Sequence, residues 1–120
     1  MTDRYAVLLN ASTDDVGPAA NGLEYALDLD EGGNDVEVYL DGAATKWADR
    51  IEAKPDHPVA EHFEAAEERG LVAGACGHCA AAFDATEGLE ARGIDVIGRE
   101  GEHGPDVSEL AETHELLTVG

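Results

Sequence analysis

Apolar residues fall along this chain in two alternating periods. Tyr5 to Leu9 is a continuous apolar run that stops at Asn10, the pattern of a central strand covered on both faces. Ser12, Thr13 and Asp14 then offer N-cap oxygens, and Ala19, Leu23, Ala26 and Leu27 recur at helical spacing, which predicts a helix with one buried face. Gly32 and Gly33 end it, after which Val36, Val38 and Leu40 alternate with Glu37 and Tyr39 in a second strand that finishes at Asp41. From Gly42 to Pro58 the pattern is less regular. Trp47 and Ile51 fit a short helix that Pro55 and Pro58 close, in the segment most open to movement. Val59, Phe63 and Ala66 mark a helix to Gly70, and Leu71 to Ala75 a third strand. Cys79, Ala82, Phe83, Thr86 and Leu89 trace the inner face of one further helix ending around Arg92 and Gly93, and Ile94 to Ile97 is a fourth strand. A polar, glycine-rich loop runs from Gly98 to Pro105; Asp106 or Ser108 then starts a short helix, and Leu116 to Val119 forms a last strand.

Strands alternating with helices imply parallel neighbours joined by crossovers, hence an α/β fold: a mostly parallel sheet of about five strands with helices on both faces. The 120 residues fit one domain, 1–120, that buries roughly two thirds of its unfolded surface. In such sheets ligands gather beyond the carboxyl ends of the strands, which places Asn10, Asp41 and Cys76 on one edge. Asn10 and Asp41 are thus candidate substrate-binding residues; the plainer alternative is that they cap the next helix or turn. The first strand is followed by the residues NASTDD rather than by a phosphate-binding glycine fingerprint, so nucleotide binding is not expected.

The strongest chemical signal is Cys76-Gly77-His78-Cys79, which holds the only two cysteines of the chain. A thiol where a strand feeds a helix meets unpaired backbone N–H groups that favour thiolate, and Cys79 lies one turn along, within reach. Cys76, Cys79 and His78 are therefore the candidate catalytic residues, with His78 either lowering a thiol pKa or serving as proton donor, unless it merely faces solvent. Persulfide carriage, dithiol redox cycling and plain packing of two small thiols all fit this tetrapeptide. Zinc fits less well, because a lone pair at this spacing lacks a second paired motif and only His57, His62 or His103 remain to complete a tetrahedron. No metal and no cofactor are expected. Trp47 and Lys46 lie on the loop best placed to cover the site or meet another subunit, or else on a surface helix with one buried indole.

Cys-Gly-His-Cys also resembles the redox motif of the protein disulfide isomerase branch of thioredoxin-like proteins, but the surrounding sequence does not: Ala75 precedes it where a tryptophan is usual, and Pro105 is the only later proline. A wider resemblance covers nearly the whole chain. The order of elements, the segment VEVYLDGAATKW, and GLVAGACGHCAAAF followed by LEARGIDV are similar to the DsrE/DsrF-like family, which includes sulfur-relay subunits of the TusD type. Cys76, Cys79 and Arg92-Gly93-Ile94 stand at that family's characteristic positions. The spacing between the cysteines and Arg92 is longer than in many members, so which cysteine is the active one stays open. The resemblance implies a three-layer α/β/α flavodoxin-like fold, a homo-oligomer (trimer or hexamer), a persulfide carried on cysteine, and a sulfur donor or acceptor protein as partner.

Charge narrows the partners further. Acidic residues outnumber basic ones 27 to 7, a formal charge of -20, which excludes binding to nucleic acid or an anionic membrane through bulk electrostatics. Met1 to Tyr5 carry neither the basic patch nor the apolar run of a secretory leader, and no apolar run approaches a membrane span. A cytoplasmic, reducing setting is expected, where two cysteines are seldom a structural staple. The acids are spread from Asp3 to Glu115 between regularly spaced apolar residues, the pattern of a folded, carboxylate-rich surface rather than a disordered tail. Self-repulsion of this size is tolerable in very high salt, where the Debye length falls to about 3 Å at 1 M, so the expected source is halophilic. Small-angle scattering and circular dichroism during removal of salt should show loss of compactness; full stability in dilute buffer would contradict this reading.

Overall fold

The structure, a computed structural model, describes residues 3–98 and 102–120 of the chain. Of the loop expected over 98–105, residues 99–101 lie outside the described residues, as do the first two of the chain. Among the described residues there are five strands: β1 (Arg4–Leu9), β2 (Asp35–Leu40), β3 (Val72–Cys76), β4 (Val96–Ile97) and β5 (Glu115–Val119). They form one sheet in the order β4-β3-β2-β1-β5, with every neighbouring pair parallel. The helices are α1 (Val16–Glu31), α2 (Trp47–Ala53), α3 (Ala60–Glu68), α4 (Gly77–Ala82), α5 (Thr86–Ala91) and α6 (Val107–Thr113), with a 3-10 turn over Gly42–Lys46 before α2.

This is the flavodoxin-like α/β/α arrangement expected from the sequence, with its two faces loaded unequally. Val7, Leu9, Val36, Val38 and Leu40 point to one face and pack with Leu23 of α1, Trp47 of α2, Phe63 of α3 and Leu89 of α5. Ala6, Leu8 and Tyr39 point to the other, where Leu110 of α6 is the helical residue packed against them. The strand order explains the inequality. β1 through β4 advance across the sheet in one direction, so their same-handed crossovers stack on one face, and only the return from β4 to β5 crosses the other.

Three local expectations need correction. The first helix begins at Val16 with Asp15 as N-cap and no side-chain cap bond; Ser12 instead forms a turn, its hydroxyl accepting from the Asp14 N–H at 3.1 Å. Pro18 suits this start, because a first-turn residue needs no N–H partner. The helix expected from Cys79 to Arg92 is two helices, α4 and α5, broken at Asp84, whose φ of 53° lies in the left-handed region. The break rotates the stripe, so Ala80, Ala85 and Leu89 are buried while Ala82 is exposed and Phe83 is 42% exposed. Finally, Gly42 to Pro58 is not a cover over the edge: Trp47 is fully buried, its indole N–H donating to the Ala11 carbonyl at 2.8 Å, and its ring makes a T-shaped contact with that of His57.

Arg92-Gly93 has a structural role. The Arg92 guanidinium grips Glu67 of α3 through two nitrogens, at 2.6 and 3.1 Å, and lies over the Phe63 ring, fastening the end of α5 to α3. Gly93, at φ 75°, then turns the chain toward β4.

Trp47→Phe leaves the buried Ala11 carbonyl without its donor and is expected to cost about 1–3 kcal/mol. Phe83→Ala should stay within about 0.5 kcal/mol of wild type, as at other exposed positions. Urea unfolding of both variants at one fixed high salt concentration checks the contrast, which would be inverted if Phe83 lay on an inner helix face.

Candidate functional site

After a register shift between Val38 and Tyr39, β2 and β3 pair Tyr39 with Gly74 and Leu40 with Ala75, so the next residues, Asp41 and Cys76, stand side by side at the carboxyl edge of the sheet. Asp41 enters the 3-10 turn: its Oδ1 accepts the Gly42 N–H at 2.9 Å, and Gly42 takes a φ of 53°. Cys76 ends β3 and caps α4, with its sulfur accepting the Cys79 N–H at 3.4 Å. Gly77 is required by its neighbours, since a Cβ there would lie 2.8 Å from the carbonyl oxygens of both Ile97 and Gly98. Gly74 is similar, because a Cβ would meet Ile97 Cδ1 at 2.5 Å. These two glycines let β4 and the chain that follows it pass close against the cysteine corner, and the Glu102 carbonyl accepts the His78 N–H at 3.1 Å.

That close passage brings in His103. Its Nδ1 lies 3.3 Å from the Cys76 sulfur, and its Nε2 stands 4.0 Å from Asp41 Oδ2, an electrostatic contact rather than a hydrogen bond. Asp41 Oδ1 in turn accepts the Cys79 thiol at 3.4 Å. One donor atom from each of Asp41, Cys76, Cys79 and His103 lies within 4.8 Å of all the others. Cys76 is fully buried, Cys79 and Asp41 are half-buried, and the His103 side chain is 52% exposed, so the approach to the site is on the His103 side.

The two thiols have unlike surroundings. Burial pushes the Cys79 thiol up to about 12, helped by its hydrogen bonds to the Cys76 sulfur and the Asp41 carboxylate and by repulsion between two neighbouring sulfur charges; the Gly42 backbone opposes the rise only in part. Cys79 therefore remains a neutral S–H donor at physiological pH. Cys76 receives a backbone N–H and faces an imidazole, a nucleophile with a base beside it and a carboxylate near that base.

Of the residues singled out in the sequence, Cys76, Cys79 and Asp41 come together. Asn10 follows β1 on the same edge: its Oδ1 would lie 3.3 Å from a Cβ at Gly42, so it borders the turn that Asp41 opens. His78 is exposed, and the imidazole at the sulfur is His103. His57 packs on Trp47 and His62 pairs with Glu24 at 3.1 Å, both away from the cysteines. Sequence reasoning reached His103 only as one of three spare histidines. The signal that singles it out is topological, because β4 is the parallel neighbour of β3 and the chain leaving β4 must pass the cysteine corner. Among the described residues no helix is long and apolar enough to cross a membrane.

Comparison with known proteins agrees with this architecture. An uncharacterized protein of the archaeon Methanocaldococcus jannaschii is 31% identical over 70 residues, which cover 58% of this chain and 54% of that protein. The match thus spans about half the length of that curated relative. A conserved protein of unknown function from Bacteroides thetaiotaomicron has the same fold, with a TM-score of 0.67 and 21% identity over 97% of this chain and 94% of that one. The DsrE/DsrF-like family model matches residues 3–118, nearly the whole chain, and the chain belongs to the DsrE/DsrF-like family.

Proposed function

We propose that this chain is a sulfur-handling protein that accepts sulfane sulfur as a persulfide on Cys76 and passes it to a partner protein. Family membership supports a role connected with sulfur relay. The observation that carries the assignment to Cys76 is the pairing of its buried sulfur with His103 Nδ1 at 3.3 Å. With its own proton on Nε2, toward Asp41, the imidazole takes the Cys76 proton. The thiolate then attacks the outer sulfur of a donor persulfide. A sulfur–sulfur bond forms at Cys76, the donor's sulfur–sulfur bond breaks, and the donor cysteine leaves as a thiolate that the imidazolium protonates. No net oxidation occurs. Cys79, held protonated, donates a hydrogen bond within the site and does not compete as a nucleophile.

Burial of Cys76 shields a persulfide from bulk thiols, which suits a carrier that must not lose its cargo to solvent. The same reading includes a cytoplasmic setting and a homo-oligomer, trimer or hexamer, with Tyr25, Phe83 and Val107 as exposed large apolar side chains available for contact. The competing reading, a dithiol cycle between Cys76 and Cys79, draws on two free thiols three residues apart.

Intact-mass analysis in high salt, after exposure to a sulfane-sulfur donor and alkylation, separates the readings. A carrier gains the mass of one sulfur atom in wild type and Cys79→Ser but not in Cys76→Ser. Reversible loss of two hydrogens that needs both cysteines would assign the redox cycle instead, and no change in either would leave the thiols structural.

His103→Ala is expected to slow sulfur loading by about 10²-fold or more, the usual loss on removing a general base, while His78→Ala leaves the rate unchanged. Equal rates in wild type and His103→Ala, measured by quenched mass analysis, would remove the imidazole from the mechanism.

A further inference from the structure

The cluster at the carboxyl edge has a second chemical capacity that sulfur carriage does not use. Two thiols, an imidazole and a carboxylate are the ligand types of a tetrahedral zinc centre; magnesium and calcium, which prefer all-oxygen sets, are poorly matched. We propose that Asp41, Cys76, Cys79 and His103 form a four-donor binding site for a zinc-class divalent cation.

The geometry is already close to what such an ion requires. Zinc bonds of about 2.3 Å to sulfur and about 2.0–2.2 Å to nitrogen or oxygen, set at tetrahedral angles, place neighbouring donor atoms roughly 3.3–3.8 Å apart. The Cys76 sulfur is 3.3 Å from His103 Nδ1, and the Cys79 sulfur is 3.4 Å from Asp41 Oδ1. Two opposite edges of the tetrahedron therefore have near-final length, and all four donors already fall within 4.8 Å of one another. The remaining contraction is small beside what a surface histidine can supply by rotating its side chain.

The groups behind the donors fit as well. The Cys79 N–H points at the Cys76 sulfur and the Gly42 N–H at Asp41 Oδ1, the kind of backbone support that orients metal ligands. Charge favours the same occupant. Two thiolates and a carboxylate beside a neutral imidazole carry three negative charges in a small volume, on a chain already at -20, and a divalent cation neutralises most of them. Each thiol that is still protonated releases its proton to solvent as the sulfur–metal bond forms, with no change of oxidation state.

The site draws its ligands from three separate connections: the loop after β2, the corner after β3 and the loop after β4. A lone Cys-x-x-Cys pair in sequence is completed by topology, which is why the pattern of the sequence did not display a metal motif. Metal binding does not rest on the sulfur reading. Its one bearing on that reading is competition, since both need the Cys76 sulfur and a filled site withholds it.

The test is titration of reduced, chelator-treated, sulfur-free full chain with Co²⁺ as a spectroscopic probe and with Zn²⁺ against a chromophoric competitor chelator. The expected result is one ion per chain, with sulfur-to-cobalt charge-transfer absorption and the intense visible bands of tetrahedral cobalt. Loss of an outer partner alone weakens metal sites by about 10–100-fold, so His103→Ala and Asp41→Asn are each expected to weaken binding at least as much, and His62→Ala not at all. Asn at 41 keeps an oxygen for the Gly42 N–H, so this variant retains the local turn. Affinity unchanged in both His103→Ala and Asp41→Asn would reduce the site to a cysteine pair and overturn the proposal, as would octahedral cobalt spectra or no binding by wild type. Because sulfur loading is not measured here, failure of the carrier mechanism leaves this result untouched.

Discussion

The cluster at the carboxyl edge depends on parallel strands ending at the same level. Leu9 pairs with both Val119 and Leu40, Leu40 with Ala75, and Ala75 with Val96, so all five strands reach one level, beyond which only β3 and β4 pair once more, Cys76 with Ile97. Up to that level the backbone N–H and C=O groups are consumed by the sheet; just beyond it they need other partners. Side chains at the exits supply them: the Asp41 carboxylate takes the Gly42 N–H, and the Cys76 sulfur takes the Cys79 N–H. The same bonds that close the strand ends also aim a carboxylate and a thiol at one point. Fold closure and site assembly are thus one set of interactions.

The unequal loading of the two sheet faces determines how firmly each wall of that point is held. On the heavily packed face, Trp47 is bonded to Ala11 and Arg92 grips Glu67, so the turn that carries Asp41 and the helices beside Cys79 are tied to buried structure. On the other face α6 has no fully buried residue, and His103 reaches the site from the segment that leads into α6. The cluster combines a half tied to buried structure, Asp41 with the two cysteines, and one half-exposed histidine from a lightly anchored connection. A reagent entering the site meets His103 first.

Much of this was legible in the sequence, and the failures have physical causes. The periods of Tyr5–Leu9, of Ala19 to Leu27 and of Val36 to Leu40 reflect burial directly, so those elements stand where the pattern placed them. The stripe through Phe83 was misleading because helical spacing continues in sequence across Asp84, whereas a single left-handed residue there restarts the helix with a different face inward. Aspartate enters that region more easily than most residues, yet nothing in the stripe announces it. His78 attracted attention by adjacency to the cysteines. On a helix with about 100° per residue, a residue two positions after Cys76 is carried to the far side, while Cys79, three positions on, returns to the same side. His103, 27 residues from Cys76, could be found only from strand order, because no local pattern connects the loops of neighbouring parallel strands.

The site is as poor in cations as the chain that carries it. Seven basic residues against 27 acids leave little cationic character to spare, and the cluster contains neither lysine nor arginine. Burial, with its Cys76 and Asp41 neighbours adding to it, pushes the Cys79 thiol up to about 12. Any negative charge that develops on sulfur at this corner must then be balanced by the one group in the cluster able to become a cation, His103, or by an ion brought in from solution. The proposed sulfur transfer would use the first solution and the proposed metal site the second, and both readings rest on two sulfurs placed beside a carboxylate at the end of a parallel sheet.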